Sequence, residues 1–216
     1  MTSDALQSKL TIVLPTYGRA AFVGRLLRHL HRTGPQGRLL ILDDSPEVDG
    51  EAIQVYIQRW GESLHVTYHR CDERLSLVEK VCLGLTMVET PYVALGADDD
   101  FFHRKGLEES ITLLDSDPGV AAAHGQAMLF CLGEGQVSGT CSFSKEYLQK
   151  AVDGEGAGDR LIGHMDHYNT IWYSVQRTSS AREHWKTASD AGMGVIFAEL
   201  LTSALTVLEG RVRMHD

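Results

Sequence analysis

The sequence lacks three features that would each define a class of protein. It has no stretch of about twenty uncharged apolar residues, so we expect no membrane-spanning helix. Its four cysteines show no Cys-x-x-Cys spacing, which argues against a structural zinc site. A net charge of -9 argues against nucleic acid as a partner, because such binding commonly depends on a broad basic surface. A local basic pocket for one nucleotide is still compatible with this charge.

The first nine residues also lack the basic-then-apolar pattern of a secretion signal, so we expect a cytoplasmic protein. Of the 216 residues, 43% are hydrophobic and 23% are charged, which is ordinary for a soluble globular protein. We find no internal repeat. The composition therefore indicates a globular protein, and its function has to be inferred from local sequence patterns.

Strand-like and helical patterns alternate through the first half of the chain. We predict strands at 10–14, 39–42, 64–69 and 92–95, and helices at 20–31, 49–60 and 75–88. Such alternation, with strands apolar on both faces, is typical of a parallel sheet covered by helices. In the less regular second half we predict strands within 120–132, 137–143 and 171–175, a hairpin turn at 133–135, and helices at 104–114, 179–186 and 191–208. The fold class is therefore α/β, with a mostly parallel sheet and a smaller mixed or antiparallel portion.

The most informative stretch is the run 91–102, in which an apolar segment ends in Asp98, Asp99 and Asp100. Adjacent carboxylates repel each other, so they need raised pKa values or a compensating cation. Oxygen ligands suit Mg²⁺ or Mn²⁺, which bind through one or two carboxylates while substrate phosphates and water fill the other positions. The structural alternative is a solvated turn in which Asp99 or Asp100 caps the next helix.

Four polar segments follow the four predicted strands, at 15–19, 43–45, 69–74 and 98–100. In sheets of this kind ligands bind beyond the carboxyl ends of the strands, so these segments should share one rim. Together they supply acids for a base or ribose, acids for a metal ion and basic side chains for phosphate. The convergence predicts a nucleotide diphosphate site, although Asp43 and Asp44 are also typical turn formers before Ser45-Pro46.

Four blocks of the sequence resemble the family 2 glycosyltransferases, nucleotide-sugar enzymes that share the GT-A (Rossmann-like) fold. The blocks are TIVLPTYGR at 11–19, LILDDS at 40–45, TPYVALGADDD at 90–100 and FAELL at 197–201. The family commonly has Asp-Ala-Asp-Asp at its metal motif, whereas Gly96 takes the place of the first acid here. The resulting Ala-Asp-Asp-Asp, with a lysine in the third helix, is similar to a narrower bacterial subgroup.

The resemblance implies a donor site and a metal site on the predicted rim. Asp98 and Asp100 are the natural metal pair for Mn²⁺ or Mg²⁺, since side chains two residues apart on an extended segment face one side, and His215 resembles a third ligand. Lys80 is the preferred partner of the diphosphate, with a solvated helix lysine as the alternative. The implied donor-binding residues are Pro15, Thr16, Tyr17, Arg19, Asp43, Asp44, Lys80, Asp98 and Asp99.

A carboxylate must accept the proton of the attacking hydroxyl. Glu199 is our first candidate for this base because it interrupts an otherwise apolar helix and falls where the family places an acidic pair. Its alternative is a surface position on an amphipathic helix. Asp190 is the second candidate, with a helix cap as its alternative, and Asp166 is the third. One base without a second nucleophile implies a single displacement that inverts the anomeric centre.

We expect His164, Asp166 and His167 to bind the acceptor, with a metal site as the alternative for the two histidines, whose spacing of three fits a helix. Trp172, Tyr173 and Trp185 are expected in the core rather than as a platform for sugar. The donor half is predicted at 1–102 and the acceptor half at 103–216 of a single domain.

The resemblance implies a metal-dependent, inverting hexosyltransferase (EC 2.4) that moves a sugar from a nucleotide donor, with UDP favoured, to a glycan or lipid-linked acceptor. Bacterial surface-glycan synthesis in the cytoplasm or at the inner face of the membrane would suit such an enzyme. One alternative is a non-catalytic nucleotide-sugar-binding module of the same fold. The other is a sugar-phosphate nucleotidyltransferase, but the glycine-rich triphosphate loop of that class is absent from 15–19, which holds one glycine.

Overall fold

The computed structural model describes residues 3–133 and 137–216. A seven-stranded sheet and a two-stranded hairpin are combined with helices that cover both faces of the larger sheet. The elements are α1 (Ser3–Lys9), β1 (Leu10–Thr16), α2 (Ala20–Thr33), β2 (Arg38–Asp43), α3 (Glu47–Trp60), β3 (Val66–Arg70), α4 (Leu77–Met87), β4 (Tyr92–Leu95), α5 (Arg104–Ser116), β5 (Val120–His124), β6 (Ala127–Cys131), β7 (Phe143–Tyr147), α6 (Ala157–Asp166), β8 (Val175–Arg177), α7 (Thr178–Asp190), α8 (Val195–Glu209) and β9 (Arg211–Met214).

The larger sheet has the strand order β3-β2-β1-β4-β8-β5-β9. β1 pairs in parallel with β2 and β4, β2 with β3, and β5 with β9, whereas β8 runs antiparallel to both of its neighbours. β6 and β7 form the separate antiparallel hairpin. The predicted α/β class, with a mostly parallel sheet and a small antiparallel portion, is confirmed. Strands from both halves of the chain share the larger sheet, which supports our proposal of one domain.

Alternation along the strands divides the apolar core into two layers. Ile12 and Leu14 of β1 join one cluster with α2, α3 and α5, while Val13 between them joins the other with α4, α7 and α8. β2 does the same, with Leu39 and Ile41 on the first face and Leu40 and Leu42 on the second. Successive side chains of a strand point to opposite faces, so the continuous apolar runs that predicted β1 and β2 bury both faces of the sheet.

The second half of the chain departs from the prediction in four places, one of which is the helix α6, which was not predicted. The strand predicted at 171–175 is wrong over 171–174, which form a turn closed by the Ser174 N–H donating to the Ile171 carbonyl at 3.0 Å. The strand predicted at 137–143 begins only at Phe143, and the edge strand β9 was missed. The predicted hairpin turn at 133–135 lies partly outside the described residues. Among the helices that are described, none has the length and apolar character needed to cross a membrane.

A glycine allows α4 to lie close against the sheet. A Cβ added at Gly84 would be 2.5 Å from Leu42 Cδ1 and 2.8 Å from Val13 Cγ1. At Gly163, in the middle of α6, an added Cβ would meet nothing within 4 Å among the described residues. The two helical glycines therefore form a matched pair for substitution.

We expect Gly84→Val to lower the free energy of unfolding by about 1–3 kcal/mol, because overpacking must push α4 away from β1 and β2. Gly163→Val should change it by less than about 0.5 kcal/mol, since α6 gains a residue of better helix propensity in open space. Urea unfolding followed by circular dichroism measures both values. Equal effects of the two substitutions would contradict the close contact between α4 and the sheet.

Candidate active site

A cleft of about 310 Å³ opens at the carboxyl ends of β1 and β4. It lies on the predicted rim, since β1, β2 and β4 run parallel and end side by side. The floor and walls come from the loop after β1, the start of α4, the segment after β4 and the turn before β8. The lining residues are Pro15, Thr16, Tyr17, Arg19, Arg74, Leu75, Leu77, Lys80, Val81, Leu95, Gly96, Ala97, Asp98, Trp172 and Tyr173.

The loop after β1 turns sharply and places two predicted donor residues in this cleft. Gly18 has a φ of +63°, which a residue without a Cβ adopts without strain, and its N–H donates to Ser45 Oγ at 2.7 Å. The Tyr17 ring lies against Arg74, whose guanidinium carbon is 3.1 Å from the ring centroid. A cation against an aromatic face is an attractive contact. Arg74 thus joins the cleft beside Tyr17, although sequence analysis assigned it no role of its own.

Asp43 does not line the cleft, and its carboxylate is fully engaged by the protein. Oδ1 accepts from the Ser45 N–H at 2.9 Å, and Oδ2 accepts from Tyr68 at 2.7 Å and Arg70 at 2.8 Å. Burial, together with the hydrogen bond to Asp43, raises the pKa of Tyr68 to about 12, so the phenol keeps its proton. The turn-forming alternative describes Asp43 better than the predicted contact with a nucleotide does.

Asp44 and Lys80 form a buried ion pair beneath the cleft. Lys80 donates to Asp44 Oδ1 and, at 2.9 Å, to the Thr16 carbonyl, while Asp44 Oδ2 accepts from the Leu75 N–H at 2.9 Å. Burial alone would raise the pKa of Asp44, but the hydrogen bonds from Lys80 and Leu75 outweigh it and lower that pKa. Lys80 is only 4% exposed, so the alternative of a solvated helix lysine is wrong.

The acid triplet is a turn and not the extended segment we expected. The Asp100 N–H donates to the Ala97 carbonyl at 3.2 Å, which brings the Asp98 and Asp99 side chains to one cation. Arg19 reaches Asp98 Oδ1 at 3.1 Å and Asp99 Oδ2 at 2.7 Å. The prediction that Asp98 and Asp100 share one side is therefore wrong, and Asp100 instead lines a small second cavity together with Phe102.

The three acids differ in their surroundings. Asp98 is 4% exposed, and its Oδ2 accepts from Thr16 Oγ1 at 2.7 Å, whereas no described residue makes a hydrogen bond to its buried Oδ1. Burial raises the pKa of Asp98. The pKa of Asp100 is raised by desolvation and then by repulsion from Asp99 and Asp98, although its side chain still reaches solvent. Adjacent carboxylates repel each other, so each makes ionisation of its neighbour less favourable.

Packing explains why glycine stands at position 96. A Cβ there would lie 2.9 Å from Ile12 Cγ2 and 3.3 Å from Leu14 Cδ1, in the core below α2. An aspartate at this position would have to displace two buried side chains of β1. The departure from the common motif therefore fits the local packing of β1 against β4.

The residues fit a divalent cation that is held by few protein ligands. Asp98 lines the cleft, and its Oδ1 makes no hydrogen bond with a described residue but lies 3.1 Å from the Arg19 guanidinium, so a cation at this oxygen would take the place of Arg19. No three His, Cys, Asp or Glu side chains of the described chain form a group that could hold a metal ion. His215 in particular is not brought to the triplet: its ring contacts Ser110 Oγ at 2.9 Å and Glu109 Oε2 at 3.0 Å. It follows β9, the third strand from β4 across the sheet.

The turn before β8 brings two aromatic side chains to the cleft. Trp172 is buried and donates from Nε1 to Thr202 Oγ1 at 2.9 Å, whereas Tyr173 is 38% exposed. The core position expected for Tyr173 is therefore wrong. Burial, and the nearby charges of Asp100, Asp99 and Glu199, raise the pKa of Tyr173 to about 12. Nothing in the sequence indicated this turn, because a Trp-Tyr pair within an apolar run is as typical of a strand as of a turn.

Glu199 lies half-buried near the start of α8, where its Oε1 accepts a hydrogen bond from Tyr168 at 2.7 Å. It lies close enough to Tyr173 to act on it electrostatically, as Asp99 and Asp100 do. The first candidate base and two acids of the triplet, Asp99 and Asp100, therefore lie near enough to one tyrosine of the cleft to affect its pKa. Asp190, the second candidate, is exposed and paired with Lys186 across one turn of α7.

The three predicted acceptor residues differ in their exposure to solvent. His164 is 1% exposed, and burial lowers its pKa, so its imidazole is neutral at physiological pH. Asp166 and His167 are exposed at the end of α6. None of the three lines the cleft as the structure describes it. The structure therefore does not gather them into one acceptor site.

The model of glycosyl transferase family 2 matches residues 11–133, which is more than half of the chain. The chain belongs to glycosyl transferase family 2. This match contains the loop after β1, the Asp44–Lys80 pair and the acid triplet. No curated protein matches the sequence.

Solved structures show the same fold at low sequence identity. S. aureus TarS is matched with a TM-score of 0.65 and 14% identity, over 96% of this chain and 35% of that one. TarS 1-349 in complex with UDP-GlcNAc is matched with a TM-score of 0.64 and 13% identity, over 96% and 56%. The 4-diphosphocytidyl-2C-methyl-D-erythritol synthase of Anaerococcus prevotii follows at 0.56 and 8%, over 99% and 89%. The chain thus spans between 35% and 56% of the length of these two TarS chains.

Replacing Lys80 by methionine should destabilise the protein most at neutral pH. Removing one partner of a buried ion pair leaves the other charge uncompensated, which costs about 3–5 kcal/mol. In the wild type the pKa of Asp44 lies below its ordinary value of 3.8, so its contribution is present above about pH 4 and is lost at lower pH. In Lys80→Met the buried Asp44 carboxyl keeps the Leu75 N–H and Arg74 at 3.7 Å but loses the contact with Lys80, which favours its protonated form, so the deficit should shrink on acidification.

Urea unfolding at pH 7 and at pH 4 measures this difference. Lys105→Met is the matched control, because Lys105 is exposed and paired only with Glu109 on the next turn of α5, among the interactions described. We expect a loss of less than about 0.5 kcal/mol for it at both pH values. A deficit of Lys80→Met that stays the same at both pH values would refute the ion pair as its cause.

Proposed function

We propose that this chain contains the catalytic site of an inverting glycosyltransferase that uses a nucleotide diphosphate sugar, with UDP as the favoured nucleotide. Membership of glycosyl transferase family 2 supports the reaction class. The observation that carries the proposal is the cleft at the carboxyl ends of β1 and β4, which brings Arg19, Lys80, Asp98 and Tyr173 to one place. A donor with its phosphates near Asp98 would present its sugar towards a separate carboxylate.

Positive charge along the cleft supports a donor with two phosphates. Arg19, Arg74 and Lys80 all line it, and Asp98 is the one acid among its lining residues in the described structure. Cationic groups in a cleft attract and hold anionic ligands. We propose that Arg19 faces the diphosphate, that Lys80 adds its charge from beneath the cleft, and that Tyr17 with Arg74 borders the base. The predicted donor contacts of Pro15 and Thr16 are part of the same wall.

We further propose that the reaction depends on Mn²⁺ or Mg²⁺ held by Asp98, with Asp99 beside it and the donor phosphates completing the set. Such cations favour oxygen ligands and commonly take only one or two carboxylates from the protein. When bound, the cation neutralises charge on the leaving diphosphate. Thr16 fixes one oxygen of Asp98 at 2.7 Å, and the other lies 3.1 Å from Arg19, whose place the cation would take. Asp100 and His215 have no part in this version of the site.

We propose Glu199 as the base that takes the proton of the acceptor hydroxyl. A single carboxylate on the acceptor side is consistent with direct displacement and inversion at the sugar carbon. Following the resemblance to a bacterial subgroup, the acceptor would be a glycan or lipid-linked hydroxyl of surface-glycan synthesis at the cytoplasmic side of the membrane. These finer assignments rest on the family and on the position of Glu199.

The fold is also shared with the 4-diphosphocytidyl-2C-methyl-D-erythritol synthase, which keeps nucleotidyl transfer as the second candidate. The family match and the single glycine in the loop after β1 favour glycosyl transfer. Release of pyrophosphate from a nucleoside triphosphate and a sugar phosphate would reverse this preference. A protein that binds the donor without turnover would be the non-catalytic module.

The wild-type protein should bind UDP in isothermal titration calorimetry when Mn²⁺ is present, and Asp98→Ala should lose that binding. The buried Asp98 carboxylate is the fixed oxygen donor of the proposed cation site, so its loss removes the link between phosphates and protein. Asp117→Asn is a suitable control, because Asp117 lies before the amino end of β5, does not line the cleft and is paired with Arg211. Strong binding of every nucleotide without a divalent cation would contradict the proposal.

Glu199→Gln should reduce transfer or hydrolysis of UDP sugars by at least about 100-fold, the scale of general-base catalysis, and leave donor binding intact. Asp190→Asn should retain activity, because Asp190 is exposed and engaged with Lys186. UDP release during turnover of a panel of UDP sugars measures both variants. Loss of activity in Asp190→Asn with retention in Glu199→Gln would transfer the role to Asp190.

A further inference from the structure

A tyrosine holds the carboxylate that we propose as the base. The Tyr168 hydroxyl donates to Glu199 Oε1 at 2.7 Å. Burial, and then this hydrogen bond, raise the pKa of Tyr168 well above its usual value, so the phenol stays protonated and acts as the donor. Elsewhere in the described chain no side chain is found that makes a hydrogen bond to Glu199 Oε2. One oxygen is therefore held by the protein, and the other is left for a ligand.

Tyr168 is itself fixed by the packing of α6 along α8. Its ring meets the His164 ring at a centroid distance of 5.1 Å and an interplanar angle of 60°. One turn earlier, Arg160 donates to the Val207 carbonyl at 2.7 Å and the Leu208 carbonyl at 2.9 Å, which joins the start of α6 to the end of α8. Arg160 and His164 are four apart on α6 and share one of its faces, and Tyr168, two residues beyond the end of α6, reaches Glu199 of α8.

His164 is the ring against which Tyr168 packs. It is almost fully buried, and neither of its ring nitrogens has a hydrogen-bond partner among the described residues. Burial lowers its pKa, so the ring packs as a neutral, largely apolar group. The charged and titratable groups that act on Tyr168 are Glu199 and Tyr147, and Ser203 lies beside its hydroxyl. The Tyr168 ring is therefore supported from α6 while its hydroxyl faces α8.

We propose that Tyr168 is a positioning residue, which orients the Glu199 carboxylate so that Oε2 receives the proton of the acceptor hydroxyl. This inference rests on the proposed function of Glu199. A glutamate side chain near the start of a helix has three rotatable bonds, and a hydrogen bond to one oxygen removes most of that freedom before the acceptor binds. Correct orientation of a base contributes to rate because the reacting groups must approach within hydrogen-bond distance.

The bonds and the proton of the proposed step balance. The acceptor oxygen bonds to the sugar carbon, the nucleoside diphosphate leaves with the electrons of the broken bond, and Glu199 keeps the proton.

The test is a double-mutant cycle on Tyr168→Phe and Glu199→Gln, with release of UDP from UDP-GlcNAc and other UDP sugars as the activity and water as the acceptor. Phenylalanine keeps the ring against His164 and removes only the hydroxyl. We expect kcat to fall by up to about 100-fold, the scale of the loss when a catalytic group is misplaced, while the donor KM stays unchanged. In the Glu199→Gln background the same substitution should have no further effect, because the two residues act as a unit.

Tyr56→Phe is the matched control, since Tyr56 stacks on Trp60 in α3 on the other face of the sheet and should lose no activity. If the wild type is active and Tyr168→Phe is equally active, the inference about Tyr168 is overturned, while the proposed function of Glu199 stands. The inference is also overturned if the fold loss of kcat in the double variant equals the product of the losses in the two single variants. A wild type that binds the donor but never turns it over overturns the proposed function of Glu199 and the inference with it. A fall in kcat that disappears without Glu199 supports both.

Discussion

The ion pair between Lys80 and Asp44 connects the elements that form the cleft. Lys80 belongs to α4, Asp44 follows β2, and the Thr16 carbonyl that also receives a hydrogen bond from Lys80 ends β1. Asp44 in turn holds the Leu75 N–H just before α4 begins. Two buried charges are tolerated only when they are paired and hydrogen-bonded, so each of these contacts depends on the others. Thr16 in turn holds Asp98 by a hydrogen bond, and both residues line the cleft.

The same arrangement explains how a protein with a strongly negative net charge presents a cationic cleft. Asp43 and Asp44 are turned inward and neutralised by Arg70 and Lys80, so their charge is not directed at a ligand. Arg74 and Arg19 remain at the surface of the cleft. The charge at the cleft depends on which carboxylates are buried and paired. The net charge of the whole chain therefore does not predict it.

The sheet and its rim were predictable because they depend on local patterns. Apolar runs such as 39–42 indicated strands buried on both faces, and parallel strands must end at the same edge. What the patterns did not reveal depends on contacts between distant residues. The turn at the triplet is stabilised by Arg19, about eighty positions earlier, and Tyr173 reaches the cleft because Trp172 is held by Thr202 on α8. The strand β9 exists because β5 provides an edge, and four residues with two arginines gave no local signal.

Arg19 has a consequence for any quantitative study of this site. Its guanidinium already bridges Asp98 and Asp99, so a cation that binds these carboxylates exchanges one positive partner for another. The measured affinity of such a cation is then a difference between two competing interactions and underestimates the intrinsic strength of the carboxylate ligands. A phosphate group that attracts Arg19 away from the acids would strengthen the cation at the same time. Donor and cation would therefore bind cooperatively through the side chain of a single arginine.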